Sequence, residues 1–98
     1  MDDPHEAARR RIEDSVLMGP GHTSARLREA VARRKDVPEE LRALVDKIAS
    51  HAYKVTDEDL AALKAKYSED ELFELVVAAS LGAAMDRLHA GLRALEDA

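Results

Sequence analysis

Four residues are placed to move protons. His51 and Tyr53 stand in the run Ser-His-Ala-Tyr-Lys, and the carboxylates Glu39 and Glu58 flank that run. A histidine titrates near neutral pH, and a carboxylate within hydrogen-bond reach would orient it, so the set suits general acid–base work on a small acid. One length limits it. Glu39 and His51 are 12 residues apart, about 18 Å along a single helix, so they meet only across subunits or through a bend. The plainer reading of His51 is a polar side chain at a helix end, favoured by the negative pole of the helix dipole.

Other chemistries find fewer residues. The chain has no cysteine, which rules out a disulfide, a thiolate ligand and a cysteine nucleophile. Asp86 and His89 stand three apart and would make half a metal site. Further ligands are lacking nearby, and His5 and His22 have no helical spacing to the pair, so neither a metal nor another cofactor is expected. His5, near the start, and His22, in a glycine-flanked turn, read as solvent-exposed. The segment Gly19–Ser24, Gly-Pro-Gly-His-Thr-Ser, precedes a helix whose N–H groups would suit an anion. It lacks the lysine and the preceding strand of a phosphate loop.

Charge narrows the partners. Residues 1–50 hold 10 basic and 10 acidic side chains, whereas residues 51–98 hold 5 basic and 10 acidic. A nucleic-acid groove wants a basic surplus, so no nucleic-acid partner is expected. Arg9-Arg10-Arg11 and Arg33-Arg34-Lys35 lie among carboxylates at helical spacing and read as solvated faces. The charged start, Met-Asp-Asp-Pro-His-Glu, has no apolar core of a secretory signal. Disulfides, common in small secreted domains, are absent. A cytoplasmic home is therefore expected.

The elements that would hold these residues are helices. Ala, Leu, Arg, Glu and Lys dominate the 98 residues, all good helix formers. The length suits one domain. A first helix, with Pro4 suited to its first turn and Ala8, Ile12, Val16 and Leu17 on one face, ends near Met18 at Gly19-Pro20-Gly21. A second starts after Thr23 or Ser24 and stops near Lys35, because Val37 precedes Pro38. Pro38 opens a third, with Glu39 and Glu40 at its positive pole and a stripe of Leu41, Leu44, Val45, Ile48 and Ala52. Capping boxes at Thr56–Asp59 and Ser68–Glu71 start a short helix over about 57–66 and a long one over about 69–95. The expectation is an all-α array of four to five helices with no strand.

The long helix is unusual. Leu72 to Met85 is apolar almost all the way round, with only Glu74 and Ser80 interrupting. Fourteen residues fall short of the roughly 20 that span a membrane, so no membrane partner is expected. A helix apolar on all sides is buried on more than one. The other helices cover one side. The remaining side, with Ala78, Ala79, Gly82, Ala83 and Ala84, is flat and fits a second copy of the chain or, failing that, residues 1–35. Met85 and Leu88 read as core, and Arg87 as an ion-pair partner of Glu74 or Asp86.

The segment from Pro38 to Leu95 resembles the carboxymuconolactone decarboxylase family, which includes the alkylhydroperoxidase D-like proteins. Three stretches carry the likeness: "PEELRALVDKIA", "DEDLAALKAKYSEDELFELV" and "VVAASLGAAMDRLHAGLRAL". Residues 37–98 would form the family-like core, while residues 1–36 carry no such likeness. The resemblance implies an alkylhydroperoxidase D-like helical array that assembles into trimers or hexamers. In the redox branch a glutamate precedes Cys-x-x-Cys and a histidine. Aligned without gaps, the glutamate position falls on Glu39, the cysteine positions on His51 and Lys54, and the histidine position on Glu58. Peroxide reduction by a dithiol is thereby excluded. The Thr56 capping box is a second departure, since it breaks a helix that runs on in that branch.

Three functions remain open at this point. One is a non-redox homo-oligomer, joined through residues 69–92, with a structural or a protein- or ligand-binding role. Another is a cofactor-free acid–base enzyme on a small acidic or lactone substrate, using His51, Tyr53, Glu39 and Glu58. The last is an anion- or small-molecule-binding module with its pocket between subunits.

Overall fold

The computed structural model describes residues 6–51 and 54–97 and, for Arg9, Ile12 and Glu13, the backbone alone. Pro4, His5, Ala52 and Tyr53 therefore lie outside the described residues. The protein is all-α. Among the described residues five α-helices follow in order: α1 (Glu6–Met18), α2 (Ala25–Arg33), α3 (Glu39–His51), α4 (Asp57–Ala61) and α5 (Glu69–Asp97). None of the described residues lies in a strand.

Local chemistry explains most boundaries. Ser24 caps α2, its hydroxyl accepting from the Leu27 N–H at 3.1 Å. Arg34 ends that helix in the left-handed conformation, φ 53°, and Asp36 at φ 58° completes the turn into Val37-Pro38. Thr56 and Asp59 form both halves of a capping box, which separates α4 from α3. Ser68 and Glu71 do the same for α5, at 3.1 and 2.9 Å. The short fourth helix departs from expectation. It stops at Ala61 rather than near Lys66, because Leu63, Lys64 and Lys66 donate to carbonyls three residues back. That tighter winding turns Leu63 and Tyr67 inward, where both are buried.

α5 is the spine. Its 29 residues run about 43 Å, and the molecule measures 48 × 28 × 21 Å. α2 packs along α5 most extensively and α3 next, while α1 rests mainly on α2. The core joins Val31 and Ala32 of α2, Leu41, Leu44, Val45 and Ile48 of α3, Leu63 and Tyr67, and Leu72, Leu75, Ala78 and Ala79 of α5.

The small-residue face of α5 is covered within the chain. Ala78, Ala79 and Ala83 are buried, and only Ala84 of the expected flat side is exposed. The cover is α2. A Cβ built at Gly82 would stand 2.0 Å from the Ala32 carbonyl oxygen, so glycine is what lets the two backbones touch. By length and composition α5 could cross a membrane. Here Leu72, Leu75, Ala78, Ala79 and Ala83 are buried inside the chain.

Candidate functional site

Glu39 and His51 do not meet within one chain. Glu39 is exposed at the start of α3 and His51 is exposed at its end, so the helix itself holds them apart. Tyr53 lies outside the described residues. Glu58 is exposed on α4 and lines a groove between α3 and α4 with Glu40, Leu44, Lys47 and Asp59. His51 follows Lys47 by one turn of α3.

Two of the carboxylates of that groove, Asp59 and Glu40, are occupied by structure. The Lys47 ammonium donates to Asp59 Oδ2 at 2.8 Å, and the Thr56 N–H donates to the same oxygen at 2.8 Å. These bonds hold Asp59 below the usual carboxylate range, the lysine first. Glu40 Oε1 accepts from the Lys66 ammonium and from the Tyr67 hydroxyl, the latter at 2.8 Å. Lys66 is the main reason Glu40 is lowered to about 2. Burial, and then the bond to Glu40, pushes Tyr67 up to about 12. At neutral pH, Glu40 is a fixed anion and Tyr67 a fixed donor. Neither is poised to exchange a proton.

The glycine-rich loop before α2 does hold an anion, and the anion is the chain's own. The Glu74 carboxylate on α5 accepts from the His22 N–H at 2.6 Å, the Thr23 N–H at 2.9 Å and the Thr23 hydroxyl at 2.7 Å. These three donors lower Glu74 to about 2. Gly21 leaves the room, since a Cβ there would meet Glu74 Oε1 at 2.6 Å. The single charge in the apolar run of α5 thus ties down the α1–α2 loop, 51 and 52 residues away in sequence. His22, exposed as expected, adds a looser contact to Asp70 at 3.7 Å.

Sequence reasoning missed Arg28. It is buried, with 5% of its surface exposed. Its guanidinium donates to the Val16 carbonyl at 2.8 Å and to the Gly19 carbonyl. A cation is thus placed on the carbonyl groups that end α1, where the helix dipole is negative. Its position in α2 marked it only as one of several arginines.

The remaining charged candidates are structural. Asp86 pairs with Arg34 at 2.6 Å, which takes up the carboxylate of the Asp86–His89 half-site. No group of three or more metal-ligating side chains occurs among the described residues. Arg87 donates to the Ala49 carbonyl at 2.8 Å rather than pairing with Glu74 or Asp86. Arg10 and Arg33 pair with glutamates one turn away, on exposed faces.

What stands open is apolar. Phe73 and Leu95 are 70% and 74% exposed, Val77 and Leu88 are 36% and 38% exposed, and Ser80, Ala84 and Gly91 are exposed with them. Leu88, expected in the core, lies on this face, while Met85 is half-buried. The seven positions repeat after 11 residues, Phe73 to Ala84 to Leu95, so they keep one line along the helix. They lie opposite the buried line of Leu72, Leu75, Ala78, Ala79 and Ala83. Beside Phe73 opens a hollow lined by Leu60, Lys64, Leu72 and Val76. Compared with protein-family models, curated proteins and solved structures, the chain matches none.

Proposed function

We propose that the protein is a non-redox assembly unit whose copies join through α5, within residues 69–92, and which serves a structural or a protein- or ligand-binding role. The observation that carries this reading is the line of exposed apolar residues on α5. It lies on the helix side away from the chain's own core. An exposed apolar line of this kind, interrupted by the single hydroxyl of Ser80, is a mark of an interaction site. The fixed state of Glu40, Asp59 and Glu74 supports it further, since each carboxylate is engaged in tying a helix to another helix or to a connecting loop.

The alkylhydroperoxidase D-like arrangement of the helices, and assembly as a trimer or hexamer, rest on the resemblance of residues 37–98. The test is the mass in solution. Light scattering should find an oligomer, and Phe73→Glu should return it to a monomer with unchanged helical content. A monomer at all concentrations would remove the reading.

A second reading is cofactor-free acid–base chemistry on a small acid or lactone. It draws on Glu58 and Lys47, which line one groove, with His51 one turn beyond. Turnover of such substrates that His51→Ala abolishes, with assembly intact, would support this second reading.

A further inference from the structure

The geometry points to one arrangement of that assembly contact: two copies pair α5 against α5 in antiparallel fashion, with the two-fold axis at Ala84. This rests on the assembly reading above and adds the partner's orientation and register.

The argument is one of side-chain volume. With Ala84 facing Ala84 of the second copy, Val77 faces Gly91, Ser80 faces Leu88, and Phe73 faces Leu95. Large residues meet small ones through the middle of the seam, so the helices approach closely there. The two large pairs close its ends. Parallel pairing would instead stack Phe73 on Phe73 and Leu88 on Leu88. It would leave Ser80 opposite Ser80 and Gly91 opposite Gly91, a seam alternately overfilled and empty.

The ends fit as well. At each end Phe73 of one copy would lie beside Leu95 of the other. Leu95 is the more exposed of the two, and burying it there covers both. Nothing obstructs Gly91, around which no atom comes within 4 Å of a built Cβ. Antiparallel helices also set opposite dipole ends side by side.

The area sets the strength. Phe73 to Leu95 spans about 33 Å of helix, and such a face buries on the order of 500–600 Å² per partner. That is below the roughly 800 Å² per partner of a standard interface. The pair is therefore expected to dissociate at micromolar concentration. A two-fold contact of this kind can stand alone as a dimer or join two trimers into a hexamer.

The absence of native cysteine makes single-cysteine cross-linking unambiguous. Ala84→Cys, Phe73→Cys and a mixture of Val77→Cys with Gly91→Cys would be oxidised under mild conditions, with mass followed by sedimentation across micromolar concentrations. The expected result is a dimer or hexamer, rapid disulfide formation by Ala84→Cys, and none by Phe73→Cys. Val77→Cys and Gly91→Cys should cross-link to each other and not to themselves. An oligomer in which Phe73→Cys cross-links and Ala84→Cys does not would overturn the antiparallel register while leaving assembly through α5 standing. A trimer with no two-fold contact would do the same. A monomer throughout would overturn both.

Discussion

Replacing Gly82 by alanine separates what helix propensity expects from what the packing demands. Gly82 lies inside α5, where alanine is the better helix former by about 0.8–1.0 kcal/mol. Propensity alone expects Gly82→Ala to stabilise. The added Cβ, however, would stand 2.0 Å from the Ala32 carbonyl oxygen, 2.7 Å from its carbon and 2.8 Å from its Cα. All three are main-chain atoms of a buried helix and cannot rotate away. Ordinary contact begins at 3.4 Å, so α2 and α5 must part by about 1.4 Å across their most extensive interface. Overpacking costs about 1–3 kcal/mol, and a main-chain obstacle puts this case near about 3 kcal/mol. Subtracting the propensity gain leaves a net loss of about 2 kcal/mol, or a fall in Tm of about 8–16 °C for a chain this size. Gly91→Ala is the control, because no atom lies within 4 Å of its Cβ. It should raise Tm by about 3–8 °C from propensity alone. Thermal unfolding followed by circular dichroism, on dilute protein so that the α5 seam is unpaired, reads both. If the two variants stabilise alike, the close approach of α2 to α5 is wrong.

Three further outcomes follow from the clamps. Glu40 and Glu74 are each lowered from an ordinary 4.5 to about 2. A carboxyl with a depressed folded value stabilises the fold above about pH 4.5, and that contribution is lost as pH falls toward 2. Urea midpoints should drop across this window, and Glu40→Gln with Glu74→Gln should flatten the drop; an unchanged slope would remove both carboxylates as its cause. Arg28→Met leaves the Val16 and Gly19 carbonyls without their donor, at a cost of about 1–3 kcal/mol. Hydrogen exchange should show α1 amides losing protection before those of α3, and uniform loss across the chain would contradict the clamp. Thr56→Ala removes the cap of a five-residue helix and should cost about 1 kcal/mol, read as a lower urea midpoint; no change would mean that Asp59 holds α4 without it.

The helices were legible because their ends are chemical. Ser24, Thr56 and Ser68 accept the bonds that their residue types promise, and Pro38 and the Gly-Pro-Gly break stand between helices. Faces were harder. Small residues at Ala78, Ala79, Gly82 and Ala83 announce that something comes close, but not what, and α2 and a second copy satisfy that signal equally. Only the fold shows that Ala32 is the neighbour. Arg28 and Glu74 were illegible for a related reason. Their partners are mostly main-chain groups, Val16 and Gly19 carbonyls for one and, beside the Thr23 hydroxyl, His22 and Thr23 N–H groups for the other. Main-chain groups leave no trace in residue type. Among the proton-transfer candidates, the distance between Glu39 and His51 was readable from helix rise alone, and α3 keeps it. The engagement of Glu40 and Asp59 needed the fold.

The partnership of α2 with α5 also sets a time order. Arg34 reaches Asp86 across 52 residues, and the His22 N–H reaches Glu74 across the same span. Most contacts in helical proteins are local, and such proteins fold fast for that reason. Here the most extensive interface closes a long loop, with α3 and α4 inside it. During synthesis, α2 emerges some 50 residues before its partner. Its apolar face, Val31 and Ala32 included, must wait in solvent for α5. Folding of this small bundle is therefore expected to be slower than its helix content suggests, and to finish only when its spine is complete.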